Sequence, residues 1–206
     1  MLLIYEGDFG SAVAALPQFR GQTMPLEQAL QLLETDVLAD LDLVAVVLTN
    51  KRIAAIRKLE HRLRELKTSW VLSFLNDRFL YCGPYFVPGS SACFDCFHRR
   101  DLSHLKHHQT AERELAIESY FSRQPQEQLP GYTGGLLYMT AGFIELCRQQ
   151  QVEPGKLRRI NIVDGPIEDT EVIAIHHCRT CRPHQEEYYA VRFVSDLVPE
   201  LRRALA

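Results

Sequence analysis

Cys82-Gly83-Pro84-Tyr85-Phe86-Val87-Pro88-Gly89-Ser90-Ser91-Ala92-Cys93-Phe94-Asp95-Cys96 is the stretch on which the reading of this chain turns, and it closes on a C-x-x-C pair. A second pair, Cys178-Arg179-Thr180-Cys181, lies far along the chain. Two thiolates at this spacing can grip one ion from a tight turn, and two such knuckles can close a tetrahedral zinc site. The spacing predicts a structural zinc held by Cys93, Cys96, Cys178 and Cys181, with no coordination position left open for catalysis. Such a metal ties the middle of the chain to its end, and closing a long loop makes the clip stabilising.

Other readings of the pairs are weaker. A redox C-x-x-C is single and sits at a strand-to-helix junction, which two pairs fit poorly. Disulfides are not the default for a chain without a signal peptide, and the N-terminus, Met1-Leu2-Leu3-Ile4-Tyr5-Glu6, has no basic n-region. A cytoplasmic protein is expected. His177 and His184 flank the second pair and are read as supporting or surface groups, not ligands. The two solitary cysteines, Cys82 and Cys147, are read as small buried hydrophobes.

The chain has 206 residues, which suits one domain spanning 1–206. Its 46% hydrophobic and 24% charged residues exclude disorder as the main description. The formal charge of −3 disfavours a protein built to hold nucleic acid by its phosphates. No apolar run reaches the roughly 18–20 residues of a membrane helix.

Leu2 to Tyr5 reads as a strand, followed by a turn at Gly7 and Gly10 and a short helix over Ser11–Leu16. Pro25 opens an amphipathic helix through Val37, and Leu43 to Leu48 has the length and apolarity of a strand buried on both faces, as in a parallel sheet. Arg52 to Leu66 is a helix whose basic residues (Arg57, Lys58, Arg62, Arg64 and, just beyond, Lys67), interspersed with Glu60 and Glu65, form a solvated face. Trp70 to Leu75 is a strand, and Arg78–Tyr81 with Tyr85–Val87 form a hairpin-type pair around Gly83-Pro84. Phe97 to Phe121 is helical, with His104 and His108 on one face as an exposed cluster. Ser122 to Gly135 is a loop and Leu136 to Cys147 a helix. Strands follow at Leu157–Val163, Glu171–Ile175 and Tyr188–Val194, with a helical tail from Ser195. The whole is a mixed α/β domain.

The run from Cys82 to Cys96, with Arg99 and Arg100 beyond it, resembles the stretch around the first zinc knuckle of ThiF/MoeB-like proteins, relatives of the ubiquitin-activating enzymes. His176-His177-Cys178-Arg179-Thr180-Cys181-Arg182-Pro183 resembles their C-terminal knuckle. More narrowly, the pattern is similar to the zinc-bearing cyclodehydratase partner, or McbB-like subunit, of thiazole/oxazole-modified peptide (microcin-type) synthetases. The likeness covers about residues 40 to 184. It implies a degenerate ThiF-like, Rossmann-type domain with a structural four-cysteine zinc site.

That family adenylates C-terminal carboxylates with ATP, through a Gly-rich turn and an acidic residue in a Thr-Asp-Asn-like setting. Here Gly7-Asp8-Phe9-Gly10 lacks the G-x-G-x-x-G pattern, Asp8 repels phosphate, and Leu48-Thr49-Asn50-Lys51 has no Asp between Thr49 and Asn50. The resemblance therefore implies a non-adenylating subunit without ATP of its own. It would present a ribosomal precursor peptide to a YcaO-type cyclodehydratase, with a flavin-dependent dehydrogenase as a further partner and a homodimer or hetero-complex as its assembly. A leader-binding winged helix is expected to be missing, because the first strand begins at Leu2. The alternative is an active ATP-dependent adenylyltransferase acting on a peptide or carrier-protein C-terminus, in which Lys51 and Arg52 contact phosphates.

Overall fold

Valine and leucine runs decide the sheet. Val44–Leu48 forms β3, and all five of its residues are buried, because alternate side chains feed hydrophobic cores on opposite faces. The computed structural model describes residues 1–181 except 77, 105–107, 125–126, 128–130 and 177. The strand expected over Tyr188–Val194, the tail helix and His177 and His184 lie outside the described residues.

One seven-stranded sheet runs β2-β1-β3-β4-β5-β6-β7. Its parallel half comprises β1 (Leu2–Glu6), β2 (Thr23–Pro25), β3 and β4 (Trp70–Leu75). The antiparallel half adds β5 (Phe79–Phe86), β6 (Lys156–Asn161) and β7 (Ile167–Glu171). Helices α2 (Leu26–Gln31), α3 (Ile53–Glu65) and α4 (Phe94–Ser103) pack in one core, while α1 (Gly7–Ala14) and α6 (Gly134–Arg148) pack in the other. A further helix, α5, spans His108–Arg123. This is a mixed α/β fold wound on both faces, with β2 and β3 added on opposite sides of β1, so that the winding switches between β1 and β3.

Several local expectations shift. Helix α1 starts at Gly7, directly off β1, and not at Ser11. Pro25 ends the short edge strand β2, a position that needs no donor, and α2 stops at Gln31, where the Thr35 hydroxyl donates to the Leu32 carbonyl. Val37 lies in a separate 3-10 turn, Asp36–Leu38, and is exposed.

The hairpin expected around Gly83-Pro84 is instead one continuous strand. The register slips by one between the Val71–Tyr85 and Ser73–Cys82 pairs, so the strand takes up one extra residue across Gly83-Pro84 as a bulge. Gly83 has φ +102°, and a Cβ there would stand 2.7 Å from the Lys156 carbonyl oxygen, so only glycine lets β6 approach. The strand expected at Glu171–Ile175 lies earlier, at Ile167–Glu171, because Arg158 and Arg159 pair across the ladder with Asp169 and Glu168. His104 is the C-cap residue of α4 and His108 is the first residue of α5, so the single helix expected over Phe97–Phe121 is two.

Helix α1 lies against β3 so closely that a Cβ on Gly10 would stand 2.5 Å from the Val47 carbonyl oxygen. Gly142 of α6, by contrast, has open space around the same position. Gly10→Ala is expected to cost about 1–3 kcal/mol by overpacking. Gly142→Ala should be neutral or stabilise by up to about 1 kcal/mol through helix propensity. Paired thermal melts of the two variants check the contrast.

Candidate functional site

Cys93 is the N-cap of α4, and the turn that follows returns Cys96 to the same side, with the Phe97 N–H donating to the Cys93 carbonyl. After β7 the chain passes through buried Val172 and Ala174 and brings Cys178 and Cys181 onto this knuckle. Neighbouring sulfurs are 3.6 Å apart for Cys93–Cys96, 3.5 Å for Cys93–Cys178 and 3.6 Å for Cys96–Cys181. All four lie within 4.8 Å of one another. Tetrahedral zinc with Zn–S bonds of about 2.3 Å needs sulfurs about 3.8 Å apart, so the donor set suits such an ion. Three of the cysteines are buried and Cys181 is half-buried. Four thiolates in so dry a site repel one another unless a cation lies between them.

The surroundings hold the knuckles in place. Glu60 of α3, buried, accepts from the Phe94 N–H at 2.8 Å and so caps the start of α4. Burial pushes its carboxyl up to about 7, against the pull of the Phe94 N–H and Arg64. The Arg57 side chain pairs at 2.8 Å with Asp95, inside the first knuckle, and Arg64 donates to the Thr180 carbonyl, inside the second. Arg100 donates to the carbonyls of Ile173 and Ala174, and the Ile175 N–H points to the Cys96 sulfur at 3.4 Å. The basic face of α3, read from the sequence as solvated, is thus partly spent on the knuckles. Asp95, an acid between two of the clustered cysteines, was the one sequence signal for that contact. Cys82 and Cys147 are buried away from this cluster, and burial raises both thiols to about 12.

A second region lies above the carboxyl ends of β1 and β3, where open α/β sheets bind ligands. Here the room is taken by an ion pair, Arg52 to Glu6 at 2.6 Å, with Glu27 at 3.7 Å from the same guanidinium. Thr49 accepts from the Phe9 N–H at 3.0 Å, which satisfies one of the free donors at the start of α1. Burial raises the Glu6 carboxyl, and Arg52 opposes the shift. Lys51 points elsewhere: its ammonium meets Asp101 of α4 at 2.8 Å and Glu118 of α5 at 3.4 Å, above the rings of Phe74 and Phe97. Tyr81 adds a hydroxyl to Asp101 at 3.1 Å. Both basic residues considered for phosphate contact are therefore committed to carboxylates. The acids that hold them, Glu6, Asp101 and Glu118, carried no readable signal, since their partners lie 46 to 67 residues away or in another layer.

No protein-family model and no curated protein matches the chain. Solved structures do share its fold. A heterocyclase in complex with substrate and cofactor aligns with TM-score 0.54 and 19% identity over 87% of this chain and 24% of its own. The heterocyclase TruD aligns with TM-score 0.58 and 14% identity over 87% of this chain and 27% of its own. A chain of the E. coli microcin synthetase McbBCD complex aligns with TM-score 0.60 and 9% identity over 85% of this chain and 66% of its own. The chain thus spans about a quarter of the two heterocyclases. At these identities the likeness is one of fold.

Metal analysis of the purified protein should return about one zinc per chain. Cys93→Ser and Cys178→Ser are each expected to abolish stoichiometric zinc and lower Tm by more than about 10 °C, at about 2–4 °C per kcal/mol for a chain of this size. Retention of about one zinc per chain in either variant would sink the four-thiolate assignment.

Proposed function

We propose that this chain is a zinc-stabilised, non-adenylating subunit of an azoline-forming ribosomal peptide synthetase, acting as one ThiF-like domain over residues 1–206. It would scaffold or present the precursor peptide to a YcaO-type cyclodehydratase in the cytoplasm, with a flavin-dependent dehydrogenase as a further partner and a homodimer or hetero-complex as its assembly. Zinc, held by Cys93, Cys96, Cys178 and Cys181, would supply structure alone: four thiolates fill a tetrahedral shell and leave no position for water or substrate.

The single observation that carries the reading is the pairing of this fold with a closed crevice. The fold is shared with heterocyclases and with the microcin synthetase complex. Yet where a nucleotide's phosphates would meet the start of α1, Glu6 and Arg52 neutralise one another and Thr49 caps the Phe9 N–H. An incoming triphosphate would have to break a partly buried ion pair and face the Glu6 carboxylate. That opposes adenylation by this chain and suits a partner that carries the ATP chemistry.

The zinc-loaded chain alone should show no ATP–pyrophosphate exchange. Added to a YcaO-type cyclodehydratase, ATP and a Cys/Ser/Thr-rich precursor, it should stimulate the loss of one water per ring, followed by mass spectrometry. Exchange by the isolated chain, or ring formation indifferent to its presence, would sink the proposal.

A further inference from the structure

The geometry points to a second binding site, a groove for a short extended acidic peptide at the carboxyl ends of β3 and β4, under α5. Two adjoining cavities of 420 and 490 Å³ share Lys51, Asn76, Arg113 and Glu114 as their common wall. Each falls within the roughly 300–1,000 Å³ of ligand sites. They lie on the β4–β5 side of Lys51, whereas the Glu6–Arg52 pair closes the crevice over β1.

The inner cavity is apolar, walled by Phe74, Leu75, Ile117 and Phe121. At its edge the Asn50 side chain donates its amide N–H to the Glu127 carbonyl at 3.2 Å, while its amide oxygen is buried with no partner among the described residues. A buried acceptor left unpaired calls for an N–H donor. The Lys51 ammonium is held by Asp101 and Glu118, so it braces α4 and α5 as walls and is not offered to a ligand. The outer cavity is different. Arg159 is engaged with Glu168, but Arg78 and Arg113 carry no ion pair among the described residues and are exposed. Two guanidiniums facing one cavity call for a carboxylate.

The groove thus asks for an N–H donor, one apolar side chain and an acid. The two cavities lie over neighbouring strand ends, about two strand spacings or roughly 10 Å, the span of three or four extended residues. An extended peptide with an apolar residue followed by acids supplies all three from one backbone. This deepens the role proposed above, on which the choice of a peptide over a smaller acid rests. A nucleotide offers a related set, with a purine amino group and phosphates, and the test separates the two.

Fluorescein-labelled Gly-Phe-Gly-Asp-Glu-Gly, titrated with the zinc-loaded full chain and read by anisotropy, should bind saturably. Changing the peptide's Phe to Ala, or its acids to Asn and Gln, should weaken binding by about tenfold or more, as should Asn50→Ala. The double variant Arg78→Glu/Arg113→Glu, at two exposed positions, should lose the acidic peptide and gain one carrying two lysines in place of the acids. Absence of saturable binding, binding indifferent to these changes, or displacement of the peptide by ATP would overturn the groove. In the reconstituted ring-forming assay, unchanged activity with the double variant would overturn the groove while leaving the subunit's role intact. Specific peptide binding without any stimulation of ring formation would support the groove and sink the role.

Discussion

Four sulfur atoms converging within 4.8 Å constrain more of this molecule than any other contact. They join the first turn of α4 to the segment that leaves the sheet after β7, positions 85 residues apart. That closure fixes where the last part of the described chain can lie. It also explains why α3 carries so much charge on a face that packs near the knuckles: Glu60 caps α4, Arg57 holds Asp95 and Arg64 holds the Thr180 carbonyl. Arg100 then reaches back from α4 to the carbonyls of Ile173 and Ala174, in the segment after β7. Glu60, Arg64 and Arg100 in this way satisfy backbone atoms that would otherwise be left bare.

The sheet has two kinds of end, and the chain treats them differently. Over β1 and β3, oppositely charged side chains close the crevice from within. Over β3 and β4, a buried lysine draws two acids inward and leaves hollow space beyond it. One fold therefore carries a crevice filled by an ion pair beside hollow space.

The parallel half of the sheet was legible in the residues. Val44 to Leu48 and Trp70 to Leu75 are unbroken apolar runs, and only burial on both faces sustains them. The antiparallel half was harder. Gly83-Pro84 looks like a turn locally, yet a bulge at that point and the close approach of β6 hold it within one strand. The acidic stretch from Ile167 to Glu171 has a weak strand pattern and is fully exposed, and it becomes β7 because arginines on β6 stand opposite its acids. Lys51 and Arg52 illustrate the same limit at the site. Adjacent in sequence, they read alike as possible phosphate ligands, but the backbone sends them into different ion pairs on different elements.

What the sequence by itself determined was the thiol chemistry and the buried strands, because both are written in local spacing: two residues between cysteines, and runs of valine and leucine. What only the tertiary structure decided was the pairing of charges across long separations and the hollow beneath α5. Coulomb and hydrogen-bond partners depend on distance in space, and the fold brings Glu6 to Arg52 and Asp101 to Lys51 across 46 and 50 residues of chain.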